Sequence, residues 1–234
     1  MCTVTFMPFS NTDFVITNNR DEAPGRGTLP PRFYTANGGR LLYPKDEVAG
    51  GTWVGVSDKA RYICLMNGGF VPHERKKNYR KSRGIVVTDL LAVEKAEPTI
   101  KKYDFNGIEP FTIVMVEWGS SLQLFELVWD GTQIHFTVKP LKPTIWSSSL
   151  LYPKAVKEKR ENWFDLFLKE NPIASKEGLL RFHKTAGEGN KETNIIMDQG
   201  FVKTKSIAQT EKKENKGTMR YEDLETGEVS IQTF

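Results

Sequence analysis

The chemistry in this chain begins at its second residue. A cysteine directly behind methionine is small enough for that methionine to be removed, which would leave one residue carrying both a thiol and a primary α-amine. The amine, with a pKa near ~8, serves as a general base at neutral pH, and the thiol, near ~8.5, needs only modest help to react as thiolate. Cys2 would then be its own nucleophile and base. The plainer alternative is a chance cysteine at the start of a strand. Asn18-Asn19-Arg20-Asp21-Glu22 sits at the end of a second β-prone run, Asp13 to Asn18, which Ser10-Asn11-Thr12 joins to the first, Thr3 to Phe9, as a hairpin. That hairpin returns the chain toward Cys2, where Arg20 can stabilise a thiolate and Asp21 can orient the amine. A solvated ion pair at a strand end would read the same way.

The remaining reactive residues have simpler readings. Cys64, between Ile63 and Leu65, is a small buried residue in a strand. Two cysteines make no disulfide framework. His73, His135 and His183 lack metal-ligand spacing and there is no Cys-x-x-Cys, so no metal site is expected. Neither Gly38-Gly39 nor Gly50-Gly51 opens a phosphate loop. Residues 75–83 hold six Lys/Arg in nine positions. Without a recognised fold or stacking aromatics beyond Tyr79 they read as a solvated loop, and no nucleic-acid partner is expected.

The elements that must position Cys2 follow from composition and pattern. With 234 residues, 38% hydrophobic, 26% charged and a net charge of 33 − 29 = +4, the chain has the make-up of an ordinary globule and is read as one domain over 1–234. No segment reaches ~18 uninterrupted apolar residues, so no membrane span is expected. The first residues lack a basic leader, and a cytoplasmic location is the expectation. Residues 19–37, crowded with Pro, Gly and charge, read as a long irregular loop. Arg40 to Tyr43, Thr52 to Ser57 and Arg61 to Met66 read as strands, then a helix capped by Ser82. Phe111 to Trp118, Leu122 to Trp129 and Gln133 to Val138 form a meander closed by Asp130-Gly131. Helices are expected over Lys154 to Lys169 and Lys176 to His183. Strands are expected at Thr193 to Met197, Val202 to Gln209, Thr218 to Leu224 and Val229 to Thr233. Hairpins without β-helix-β alternation argue for an α+β fold, antiparallel sheets covered by segregated helices.

Taken together, Cys2-Thr3-Val4, Thr17-Asn18-Asn19-Arg20-Asp21-Glu22, Gly50-Gly51-Thr52-Trp53-Val54-Gly55-Val56 and Leu65-Met66-Asn67-Gly68-Gly69 resemble the NRDE family, which includes the transport and Golgi organisation 2 proteins. Trp146-Ser147-Ser148-Ser149, Phe182-His183, Ala186-Gly187-Glu188-Gly189 and Thr204-Lys205-Ser206-Ile207-Ala208-Gln209 extend the likeness over nearly the whole chain. That family is in turn similar to N-terminal nucleophile hydrolases of the penicillin V acylase and bile acid hydrolase group. The resemblance implies a four-layer αββα sandwich and cleavage of nonpeptide C–N amide bonds. It implies Cys2 as nucleophile, Arg20 and Asp21 beside it, and Asn67 at the oxyanion. Asn19, Trp53, Ser147, Ser148 and His183 are the accompanying binding candidates. Two departures stand out: a second oxyanion asparagine would fall near Ser147 or Ser148, and a late arginine has Lys203 or Lys205 as its counterpart.

Two functions are compatible with these residues. One is a cofactor-free amidohydrolase acting on a small N-acyl compound through a thioester. The other, drawn from the same family likeness, is a carrier of haem or an acyl lipid, with Cys2 or His183 as an axial-ligand candidate. The sequence is silent on oligomeric state.

Overall fold

The structure, a computed structural model, describes residues 2–234, with the Cys2 side chain outside the description. In chain order the elements are β1 (Cys2–Pro8), β2 (Phe14–Glu22), β3 (Thr28–Ala36), β4 (Gly39–Asp46), β5 (Val54–Ser57), β6 (Arg61–Asn67), α1 (Arg83–Ala92) and α2 (Ala96–Lys102). There follow β7 (Phe111–Trp118), β8 (Leu122–Trp129), β9 (Ile134–Lys139), β10 (Thr144–Ser147), α3 (Lys154–Glu170), α4 (Lys176–Thr185), β11 (Lys203–Lys213), β12 (Lys216–Asp223) and β13 (Val229–Thr233). They form two compact units, one from the residues up to Gly25 with Lys142–Thr233, the other from Arg26–Leu141 with Phe234.

The first unit is an antiparallel sheet in the order β10-β1-β2-β11-β12-β13, with α3 and α4 packed on it. β2 runs between β1 and β11, so Asn18–Arg20 is paired along both edges and Asp21 and Glu22 are paired with β11. This is why the strand continues to Glu22 where a loop was expected from Asn19. The period of two puts Val15 against α3 and α4 in a core with Met7, Phe164, Phe167, Leu179, Phe182 and Ile195. Thr17, Asn19 and Asp21 share that parity, while Ile16, Asn18 and Arg20 take the opposite face.

The second unit is an antiparallel sheet, β3 to β9 in sequence order, with α1 packed on β4, β5 and β6. Val86, Val87, Leu90 and Leu91 fill its core. The Ser82 hydroxyl caps α1, accepting from the Gly84 amide at 3.3 Å. Ser82→Ala is expected to destabilise the fold by about 1 kcal/mol, read as a lower urea midpoint at unchanged slope. The other end of α1 is closed by the buried Arg61, whose guanidinium donates to the carbonyls of Leu90, Val93 and Glu94. In the Gly50-Gly51-Thr52-Trp53 motif, a Cβ on Gly51 would stand 2.4 Å from the Gly84 carbonyl carbon. Only glycine lets that segment pass the start of α1.

Several expectations need correction. Residues 28–36 form β3, an edge strand that accommodates Pro30 and Pro31 at a register shift between Leu29 and Arg32, a place where missing amide donors are tolerated. Thr193 to Met197 is not a strand: the carbonyls of Thr193, Asn194 and Ile195 are taken by side chains of Arg160 and Asn19 instead of a neighbouring strand. β10 and α2 were not foreseen. Among the described residues no helix is long and apolar enough to cross a membrane.

Candidate functional site

The β1–β2 hairpin sets position 2 opposite Arg20, Thr3 opposite Asn19 and Val4 opposite Asn18. The reading of the Cys2 thiol as nucleophile falls on a side chain outside the described residues. Arg20 is only 2% exposed, with Nη2 at 4.0 Å from Glu22 Oε2. On its other side β11 presents Ser206 opposite Arg20, after an irregularity that inserts Lys205 between Thr204 and Ser206.

Asp21 is buried and its carboxylate is fixed from two sides. The Tyr152 hydroxyl donates to Oδ2, and the Thr204 hydroxyl donates to Oδ1 at 2.7 Å. Burial raises the Asp21 pKa above its ordinary value, while the positive charge of Arg160 and the two hydroxyl donors pull the other way.

Two residues along β2, Asn19 makes a second buried cluster. Its Nδ2 donates to the carbonyls of His183 and Ile195 at 3.1 and 3.2 Å. That fixes the amide so that Oδ1 is the atom 2.5 Å from His183 Nδ1. A carbonyl oxygen only accepts, so Nδ1 carries the proton and Nε2 accepts from the Thr5 hydroxyl at 2.8 Å. Burial, with the charge of Arg160 second, lowers the His183 pKa to about 3, so the ring is neutral. Both ring nitrogens are engaged, which leaves His183 no lone pair for an axial bond to haem in this arrangement.

Arg160 ties the two clusters together. Fully buried, it donates from Nη1 to Thr3 Oγ1 at 2.5 Å, from Nη2 to Asn194 O at 2.6 Å, and from Nε and Nη2 to Thr193 O. Its guanidinium carbon lies 3.7 Å from the centre of the Tyr152 ring, the same tyrosine that holds Asp21. Neither Arg160 nor Tyr152 was singled out from the sequence. A signal existed for the arginine: it stands four residues after Val156 and four before Phe164, on the apolar stripe of α3, where a solvated charge does not belong. Tyr152 carried no such mark.

The other candidates divide between the units. Ser147 pairs with Thr3 across β10 and β1, and the Ser148 carbonyl accepts from the amide of Tyr152, the residue whose hydroxyl holds Asp21, at 3.1 Å. Lys203 and Lys205 both pair with Glu225, and Lys205 also donates to the Pro24 carbonyl. In the second unit, Asn67 ends β6 opposite Phe111, at a turn held by Gly68 with φ +90° and by the Gly68 amide on the Pro110 carbonyl at 3.0 Å. Trp53 is buried just before β5, its carbonyl accepting from Leu65. Cys64 is buried between Val54 and Val114.

Much of the basic run is matched within its own unit: Arg83 to Glu109 at 3.0 Å, Lys81 to Asp89 at 3.0 Å, Arg80 to Asp104 at 3.0 Å. Among the described residues no three His, Cys, Asp or Glu side chains gather as a metal site would require.

Comparison with known proteins bears on this geometry at two levels. A family model described as Transport and Golgi organisation 2 matches residues 1–216. A search of curated protein sequences finds no match. Among solved structures, an arginine-to-leucine variant of conjugated bile acid hydrolase from Clostridium perfringens is similar at TM-score 0.61 and 9% identity, over 99% of this chain and 92% of that one. Penicillin V acylase from Agrobacterium tumefaciens is similar at TM-score 0.57 and 11% identity, over 99% and 85%. The Caenorhabditis elegans orthologue of N-acylethanolamine-hydrolyzing acid amidase is similar at TM-score 0.57 and 8% identity, over 89% and 92%. At these identities the likeness shows the fold alone, antiparallel sheets and helices consistent with an αββα sandwich.

Proposed function

The chain belongs to the transport and Golgi organisation 2 family, and from that premise we propose that it is an N-terminal-cysteine amidohydrolase acting on the amide bond of a small N-acyl compound. Once Met1 is removed, the Cys2 sulfur attacks the amide carbonyl, and the α-amine takes the thiol proton. The amine then passes that proton to the leaving nitrogen as the C–N bond breaks, leaving a thioester on Cys2. Water, deprotonated by the same amine, attacks the thioester and releases the acid. Arg20 steadies the thiolate and Asp21 orients the amine. The family resemblance implies an oxyanion donor as well, worth ~3 kcal/mol of barrier in such reactions.

The observation that carries this reading is the strand register. Position 2 stands opposite a buried arginine, and the next residue along β2 is a carboxylate already fixed by Tyr152 and Thr204. Preorganised charge at that point is what an activated N-terminal residue needs. The fold likeness to two hydrolysing enzymes and an acylase lends support of a coarser kind.

Mass spectrometry tests the proposal. The Met1-free chain, mixed with a panel of N-acyl amino acids, lactams and aryl amides, is expected to gain one acyl group on the peptide that begins at Cys2 and to release free acid. A chain made to retain Met1 is expected to do neither, because an amide nitrogen is not basic. Equal turnover by the two forms, or the absence of any adduct on the Met1-free chain, would overturn the assignment.

A further inference from the structure

The face of the first unit's sheet that bears Arg20 carries a hydroxyl with nothing to do. Ser206 is 1% exposed, and its Oγ has no hydrogen-bond partner. Burying a hydroxyl unpaired is unfavourable, and nearly all buried polar side chains find a partner, so an orphan calls for a reason. Its position supplies one. Arg20 pairs with position 2 on one side and with Ser206 on the other, so position 2, Arg20 and Ser206 form a single row across β1, β2 and β11. Directly opposed residues in a sheet share a face, and their Cβ atoms lie about 5 Å apart.

Resting on the amidohydrolase reading, we propose that Ser206 is a substrate-holding residue whose hydroxyl donates to a second acceptor on the substrate, a carbonyl or carboxylate oxygen away from the bond being cut. Distance decides against a direct role in bond breaking. Two strand spacings put Ser206 roughly 10 Å from position 2, whereas an oxyanion donor must come within about 3 Å of the developing charge. A guanidinium and a hydroxyl side by side match an oxygen acceptor and have no use for a purely alkyl group. Lys203 and Lys205 are poor alternatives for that task, since both are committed to Glu225.

An internal control lies on the same strand. Thr210 Oγ1 is also buried and unpartnered, yet it stands opposite Ile16, away from the row. If orphan hydroxyls on this face are merely tolerated, Ser206 and Thr210 should behave alike.

The test uses the full Met1-free chain and three N-acyl substrates that share an acyl group: an N-acyl glycine, the corresponding glycinamide and an N-acyl propylamine. Ser206→Ala is expected to lower kcat/KM by 10- to 100-fold on the glycine or the glycinamide, whichever supplies the acceptor. It should leave the propylamine within twofold of wild type. Ser206→Thr, which restores a hydroxyl, is expected to recover most of the loss, and Thr210→Val should match wild type throughout. The urea midpoint of Ser206→Ala should equal or exceed that of wild type, because an unsatisfied group has been removed. Wild-type kinetics in Ser206→Ala on all three substrates, or a uniform loss accompanied by a lower midpoint, would overturn the role of Ser206 while leaving Cys2 chemistry intact. Failure of the wild-type chain to form any acyl adduct would instead bring down the underlying reading, and this role with it.

Discussion

Arg160→Met is expected to destabilise the protein by about 4 kcal/mol, the middle of the range for removing one partner from a buried charged network. The substitution keeps the length and much of the apolar stem, so little of the loss is cavity. What disappears is a fork of donors. Thr3 Oγ1, Thr193 O and Asn194 O lose the guanidinium that reaches them at 2.5 to 3.2 Å, Thr3 in a fully buried position and the other two in half-buried ones. Each stranded acceptor carries a penalty of ~1–3 kcal/mol, and the segment at 193–195 has no neighbouring strand to fall back on. Asp21 also loses the positive charge that offsets its burial. Arg160→Lys should rescue little, because one ammonium cannot span acceptors on β1 and on the 193–194 segment at once. Urea midpoints measure the effect. The double variant Arg160→Met with Asp21→Asn should cost less than the sum of its parts, since neutralising Asp21 removes the need for that charge. A midpoint within 0.5 kcal/mol of wild type for Arg160→Met would show that the network is ornamental.

The same network explains what the sequence did and did not disclose. Locally determined elements were legible: the β1–β2 hairpin, the Asp130-Gly131 turn, the Ser82 cap and the extent of α3 each follow from residues near one another in the chain. Asn18–Glu22 was half-legible. Its residue types pointed to chemistry, but polar composition also argued for a loop, and the outcome was settled by pairing with β11, nearly two hundred residues away. Thr193 to Met197 failed in the opposite direction. Its β-prone residues suggested a strand, yet its carbonyls serve as acceptors for Arg160 and Asn19, and a segment held by side chains need not be extended. Of the proposed site, Cys2, Arg20 and Asp21 could be singled out as candidates because their spacing within one hairpin is a local fact, while their roles came only with the family resemblance. Ser206 lay inside a noted motif, but its significance depends on a register shift that a single sequence does not display.

Acid is expected to weaken the fold through His183 as the pH falls below about 6.5. Free histidine takes its proton near 6.5, and in the folded chain the proton is refused until about pH 3. The unfolded state therefore binds the extra proton first. Stability on this account is full above pH 6.5 and falls by about 1.4 kcal/mol for each pH unit from there toward 3, levelling off below. Asp21 works in the opposite sense. Its folded pKa is raised above 3.8, so its contribution is fully present below that value and fades as pH rises through the folded pKa. Subtracting a variant that lacks the imidazole removes this overlap. His183→Gln retains a donor and an acceptor for Asn19 and Thr5 but has nothing to protonate. Between pH 6.5 and 4.5 the wild-type chain should lose about 2–3 kcal/mol more than His183→Gln, measured as converging or crossing urea midpoints. Protonation need not break either hydrogen bond, since Nδ1–H already donates to Asn19 and the Thr5 hydroxyl can rotate to accept from Nε2–H. The penalty is instead a second positive charge without water beside Arg160. Replacing that arginine by methionine should accordingly flatten the acid limb in part, leaving the desolvation share in place. Parallel midpoint curves for wild type and His183→Gln would mean that the ring is reached by solvent before the fold opens, and the neutral tautomer assigned from Asn19 would have to be abandoned.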